Sequence, residues 1–148
     1  MKLLAPDIRK ERITEISADM LREIGVKGVI VDLDNTLGGY DDPLPPDDVV
    51  VWAKEIISAG LPIFLVSNNS HIKRVSAYAN ALGISFKRLA LKPLPFKLRR
   101  AVREMGFERR EVCAIGDQRR TDVLGARLAG VKVALVTPVA ALKRAGVL

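Results

Sequence analysis

The sequence predicts an α/β fold: one domain built on a five-stranded parallel sheet with helices on both faces. Three observations carry this. Short apolar runs alternate with helix-length amphipathic segments, the pattern of a parallel sheet covered on both sides. Gly25, Gly83, Gly106 and Gly130 close helical segments where a left-handed cap is expected. Polar clusters fall just beyond the apolar runs, where open α/β sheets hold their ligands.

The elements follow in order. Residues 11–24 place Ile13, Ile16, Met20 and Ile24 on one stripe with charges opposite, which predicts a single amphipathic helix. The first strand is expected over 27–33, a β-branched run that reads as buried on both faces. A loop rich in glycine, aspartate and proline spans 38–46, and Asp47 or Asp48 is expected to cap a helix reaching about Ala59. Further strands are expected over 61–66, 84–90, 111–115 and 131–136, with helices over 71–81, 96–105, 121–129 and 139–145.

With 148 residues, 49% of them hydrophobic and 28% charged, the chain suits a globular domain with a substantial core. No apolar run approaches the roughly 18–20 residues that cross a bilayer. The start, Met1-Lys2-Leu3-Leu4-Ala5-Pro6-Asp7, lacks the features of a secretory signal. Cys113 is the only thiol and staples nothing, so a reducing, cytoplasmic setting is expected. Charge is unevenly spread. Residues 1–70 hold 7 Lys+Arg and 12 Asp+Glu (net −5), and residues 71–148 hold 17 and 5 (net +12). The basic half favours an anionic partner, such as a phosphorylated metabolite, a nucleic acid or a membrane surface, and a solvated basic face explains it equally well.

The chemistry lies in four clusters at strand ends. Asp32 and Asp34 close a buried apolar strand, where two like charges are costly without a cation nearby. Asp32 can act as a nucleophile towards a phosphate ester, and Asp34 can protonate the leaving alcohol and then activate water. Ser67, with Asn68 beside it, can bind phosphoryl oxygens, and Lys92 supplies fixed positive charge. Asp117 with Asp32 makes an oxygen-rich site suited to Mg²⁺, and Asp122, at the start of a helix, can support it through water or orient the loop. Each cluster alone has a plain structural explanation as a turn, a cap or a solvated lysine. Their joint placement, in order and always at a strand end, does not.

Asp32-Leu33-Asp34-Asn35-Thr36-Leu37, Ser67-Asn68-Asn69, Lys92-Pro93 and Gly116-Asp117-Gln118-Arg119-Arg120-Thr121-Asp122 resemble the four motifs of the haloacid dehalogenase-like (HAD) phosphatase superfamily, and the match covers nearly the whole chain. The Ser-Asn-Asn, Lys-Pro and Gly-Asp-Gln-x-x-Thr-Asp-Val-x-Gly details, with Leu4-Ala5-Pro6-Asp7, are similar to its small subfamily IIIA, the YqeG type. The resemblance implies a Rossmann-like fold, Mg²⁺ dependence and phosphomonoester hydrolysis through an aspartyl phosphate. It implies Asp32 as nucleophile, Asp34 as acid/base, Ser67 and Asn68 as phosphate binders and Lys92 as both catalytic and phosphate-binding. Metal ligands are then Asp32, Asp34 and Asp117, with Asp122 supporting. Members of the subfamily include phosphatidylglycerophosphate phosphatases. Neither insertion point has room for a cap domain, so an open pocket is expected, with Gly38, Gly39 and Tyr40 the only local material for a lid.

The expected partner is a phosphorylated small molecule or lipid head group, with peripheral contact at the inner membrane face and homo-oligomerisation left open. Two other classes compete. A phosphoacceptor domain of the receiver type also gathers acids at strand ends, but its acceptor sits on a middle strand. Nucleic-acid binding fits a pI of about 9.9, yet few aromatics are present to stack bases and no docking motif stands out. Cys113 reads as core, Trp52 as core or subunit contact, and His71 as a helix-start residue; Lys97, Arg99, Arg100 and Arg103 read equally as a basic helix that holds an anionic substrate or membrane surface and as a solvated face.

Overall fold

The computed structural model describes residues 4–88 and 90–148, so the first three residues of the start and Leu89 of the expected 84–90 strand lie outside the described residues. Six parallel strands form one sheet: β1 (Ile8–Lys10), β2 (Gly28–Val31), β3 (Ile63–Val66), β4 (Ser85–Lys87), β5 (Val112–Gly116) and β6 (Lys132–Val136), in the spatial order β1-β6-β5-β2-β3-β4. The helices are α1 (Ala18–Glu23), α2 (Asp47–Ser58), α3 (Ile72–Leu82), α4 (Phe96–Met105), α5 (Leu124–Ala129) and α6 (Val139–Arg144).

The expected five strands are correct in place and direction, and the sixth is the addition. Ile8–Lys10 pairs in parallel with β6, Ile8 opposite Ala134 and Lys10 opposite Val136. Three residues, two of them charged, carry no apolar run, and only an edge position accommodates such a strand.

The core has two sides. Val29 and Val31 of β2 face a cluster containing Trp52, Ile56, Val75 and Tyr78 from α2 and α3. Ile30 faces the other cluster, with Leu98 and Val102 of α4 and Ala126 of α5. All four β2 residues are buried, as a central strand between two helical layers requires. Trp52 is core, as expected, and its indole N–H donates to the Ile16 carbonyl at 2.8 Å.

Three expected helices change shape. Ser17 accepts a hydrogen bond from the Met20 amide and caps a new start, so 11–24 is not one helix but a 3₁₀ turn over Ile13–Glu15 followed by α1. A serine side chain competes with the helical backbone in this way, and the break brings Leu21 rather than Met20 into the core. The α2 cap is Pro46, not Asp47 or Asp48, which lie in the first turn where their charge suits the helix dipole. The last correction shapes the site: the expected 121–129 helix begins as a wide π turn over Arg119–Val123, a form that recurs at functional sites.

The chain runs from β2 outward through β3 and β4, then returns to the other side of β2 as β5 and β6. That reversal opens a crevice beyond the carboxyl ends of β2, β3 and β5. Among the described residues, the connections β2–α2 and β4–α4 hold no inserted domain. Among the described residues no helix is long and apolar enough to cross a membrane.

The shifted stripe has a measurable consequence. Leu21→Ala should lower stability by about 2–5 kcal/mol in urea unfolding, because it opens a core cavity. Met20→Ala should cost under about 1 kcal/mol, where an unbroken helix with Met20 in the core gives the reverse ranking.

Candidate active site

Each crevice residue is delivered by a strand end. The Asp32 amide still donates to Ile115 O at 2.9 Å, so its carboxyl projects from the last paired position of β2. Asn35 then takes φ +63°, a left-handed conformation that asparagine tolerates, and turns the chain back so that its amide reaches Gly38 O at 2.7 Å. After β3, Ser67 Oγ accepts the Asn69 amide at 3.0 Å. Asn68, expected at the phosphate, instead clamps the Lys92 main chain: its Oδ1 accepts the Lys92 amide at 2.8 Å and its Nδ2 donates to Lys92 O at 3.3 Å.

That clamp feeds a buried ammonium into the crevice. Lys92 Nζ donates to Asp32 Oδ1 at 3.1 Å and to Asp122 Oδ1 at 2.6 Å. The π turn swings Asp122 inward, and its Oδ2 accepts the amides of Asp117 and Gln118, each at 3.1 Å. A side chain at Gly116 would forbid this arrangement, since its Cβ would lie 2.3 Å from Asp122 Cγ. Asp117 Oδ1 accepts the Thr36 hydroxyl at 3.2 Å.

Burial raises the Asp32 pKa to about 7; Lys92 opposes that rise, and Asp122 and Asp117 add to it. Burial also raises Asp117 to about 6, helped by Asp122. Lys92 behaves differently. Burial works against its charge, but the Asp32 and Asp122 carboxylates outweigh that and hold its pKa above the ordinary lysine value.

Asp32, Asp117 and Asp122 can each offer one oxygen within 4.8 Å of the others, a donor set that could hold a divalent metal. The hydrogen bonds rank them. Both Asp122 oxygens are taken, whereas Asp32 Oδ2 and Asp117 Oδ2 receive no hydrogen bond from the described residues. The raised pKa values of Asp32 and Asp117 belong to two carboxyls without enough positive charge, and a cation there would relieve them.

Asp34, expected among the metal ligands, places its carboxylate elsewhere. Its Oδ2 accepts Asn69 Nδ2 at 2.7 Å and its Oδ1 accepts Arg74 Nε at 2.9 Å. It still lines a cleft of about 110 Å³ with Asp32, Tyr40, Ser67, Asn68 and Lys92. Arg74 is the residue the sequence reading missed. Besides Asp34 it binds the carbonyls of Asp42 and Gly39, at 2.7 and 2.9 Å, and it packs over the Tyr78 ring at 4.9 Å. Only its position two residues into α3, near an expected phosphate loop, hinted at this.

The same contacts correct the lid. Gly38 and Gly39 are buried, the Tyr78 hydroxyl donates to Asp42 O at 2.7 Å, and a Cβ on Gly38 would lie 2.2 Å from that hydroxyl. Close approach, not freedom of motion, requires glycine here, and only Tyr40 projects outward. His71 is exposed at the start of α3 and does not line the cleft. Cys113 is buried in β5, and burial pushes its thiol pKa up to about 12, so it stays protonated.

Residues 6–130 match the family of haloacid dehalogenase-like hydrolases, and the chain belongs to that family. It is a phosphatase. The chain is 40% identical over 139 residues to the "Probable phosphatase YqeG" of Bacillus subtilis (strain 168), covering 94% of this chain and 80% of that protein. Among solved structures, it resembles the cobalt-bound deoxy-D-mannose-octulosonate 8-phosphate phosphatase of Haemophilus influenzae, with TM-score 0.61 and 17% identity over 80% of this chain and 74% of that one. It also resembles the D,D-heptose 1.7-bisphosphate phosphatase of B. bronchiseptica complexed with magnesium and phosphate, with TM-score 0.57 and 18% identity over 82% and 87%. These two likenesses establish the fold.

The electrostatics give a direction for metal binding. A divalent cation must displace protons from Asp32 and Asp117 below about pH 6–7, so its affinity should fall as pH drops through that window. At pH 8 and a hundredfold excess over Kd, a divalent metal should stabilise the chain by about 2.7 kcal/mol, several degrees in Tm. At pH 5 most of that shift should vanish, and Asp117→Asn should abolish it at both pH values in a thermal melt.

Proposed function

We propose that this chain is a Mg²⁺-dependent phosphomonoesterase that works through an aspartyl phosphate on Asp32. The observation that carries this reading is the one unoccupied oxygen of a carboxylate otherwise fixed by Lys92. Asp32 Oδ2 attacks phosphorus, and the ester P–O bond breaks as the alcohol takes a proton from Asp34. Water, giving up a proton to Asp34, then cleaves the acyl phosphate and releases inorganic phosphate. The Ser67 hydroxyl and the Lys92 ammonium donate hydrogen bonds to the phosphoryl oxygens. Asp32 and Asp117 would hold a divalent cation that would supply further positive charge against those oxygens, and a site with few protein carboxylates suits Mg²⁺, which keeps several waters.

Phosphatidylglycerophosphate is the substrate we favour. The subfamily IIIA resemblance supports it, as do the uncapped cleft and the strongly basic second half of the chain. Phosphate release from a panel of this lipid, nucleotides, sugar phosphates and a phosphopeptide ranks the alternatives.

Asp32→Asn should reduce Mg²⁺-supported hydrolysis of p-nitrophenyl phosphate at least about 10³-fold while the protein stays folded. Full turnover by that variant would overturn the mechanism. Arg74 acts by positioning Asp34, so its effect should depend on the leaving group. Arg74→Met should slow hydrolysis of an alkyl phosphate, which needs a proton donor, by about 10²-fold or more. It should slow p-nitrophenyl phosphate, whose leaving group needs none, by less than about tenfold. Equal losses on both substrates would mean that Arg74 only maintains the fold.

A further inference from the structure

We infer that the rim of the catalytic cleft is a docking surface for an anionic lipid bilayer. Tyr40, Ile72, Leu91, Leu94 and Phe96 are all large, apolar and exposed, Tyr40 at 65%, Leu91 at 61% and Phe96 at 66%. Each follows the carboxyl end of a parallel strand: Tyr40 after β2, Ile72 after β3, and the other three after β4. They therefore share one end of the molecule, the end that holds the cleft. The β4–α4 connection is divided in purpose. Leu91 takes φ +55°, and from there the chain sends Lys92 into the buried site while Leu91, Leu94 and Phe96 stay in solvent.

The charge around these side chains selects the occupant. Between Glu55 and Glu104 the sequence holds no acidic residue and nine lysines and arginines. Lys87, Arg88, Lys97 and Arg100 line a groove of about 380 Å³ against Phe86. Glu104, at the far end of α4, meets Lys87 at 3.0 Å and Arg100 at 3.8 Å, and no described acid pairs with Arg88 or Lys97. The other exposed acids at this end are Glu11, just after β1, and Asp41, Asp47 and Asp48, in the β2–α2 connection and the first turn of α2, all on elements other than the β4–α4 connection.

Aliphatic tips within a cationic collar match an anionic membrane, where the tips enter the acyl boundary and the cations meet headgroup phosphates. A second copy of this chain fits poorly, because self-docking would oppose two surfaces of the same positive sign. A nucleic acid would leave Ile72, Leu91 and Leu94 without suitable contacts, since its backbone rewards cations and its bases reward aromatic rings. Docked in this way, the open cleft faces the headgroup layer, where a lipid-borne phosphate monoester would enter it without leaving the bilayer. That last step rests on the phosphatase reading; the docking itself does not.

Vesicle flotation of the whole chain separates the two. The vesicles are phosphatidylcholine alone, or phosphatidylcholine with roughly one third phosphatidylserine, which is anionic but carries no phosphate monoester. The chain should float with the anionic vesicles and stay behind with the neutral ones. Raising ionic strength from about 0.1 M to about 0.5 M should weaken the association about tenfold. L94S/F96S and R88Q/R100Q should each weaken it by at least about tenfold, with p-nitrophenyl phosphate hydrolysis unchanged as the control for folding. Failure to float with anionic vesicles, or flotation that neither double variant reduces, overturns the inference. So does a concentration-dependent dimer abolished by L94S/F96S, or salt-sensitive binding of single-stranded RNA without vesicle binding. Any of these results with hydrolysis intact leaves the phosphatase reading standing.

Discussion

One buried ammonium organises the site. Lys92 bridges Asp32 at the end of β2 to Asp122 in the π turn after β5, and so ties together two strands and the element that follows them. A lysine is rarely buried without partners, and two carboxylates in contact would repel without it. The three groups are therefore mutually dependent. Removing Lys92 leaves two buried carboxylates uncompensated, a loss of roughly 3–5 kcal/mol in comparable buried pairs. Asn68 gripping the Lys92 main chain, and Gly116 leaving space for Asp122, exist in service of that bridge.

The bridge also distributes labour among four carboxylates that look equivalent in the sequence. Asp122 spends both oxygens on Lys92 and on two backbone amides, so it holds the loop. Asp34 spends both on Asn69 and Arg74, which fix it against the Gly38–Asp42 segment and leave it at the edge of the cleft. Asp32 and Asp117 each keep one oxygen open, and these are the two whose pKa values burial has raised. Hydrogen-bond saturation, more than proximity, separates the two carboxylates that keep an oxygen open to a cation from the two whose oxygens are held in place.

Much of this was legible in the chain itself. The alternation of apolar runs and glycine-closed helices gave the parallel sheet, because both faces of such a sheet must be covered. The polar clusters marked the cleft because an open α/β sheet has only one end at which strand ends and helix starts converge. What escaped depended on local competition or on distant contacts. Ser17 diverted a helix that its apolar spacing suggested was continuous. Ile8–Lys10 became a strand only because β6 offered an edge. Arg74 and the destination of the Asp34 carboxylate are set by a contact spanning 40 residues, which no local spacing encodes. Gly38 and Gly39 read as material for a lid, yet the packing of Tyr78 against Gly38 makes a tight crossing there.

As the proposed nucleophile, Asp32 should be the one acid of the four that becomes covalently phosphorylated. Acid-quenching the enzyme during turnover and reducing it with borohydride converts an aspartyl phosphate to homoserine, which peptide mass spectrometry locates. Homoserine is expected at position 32 and at no other aspartate. Continued turnover with position 32 unmodified, or homoserine at position 34, 117 or 122, would contradict it.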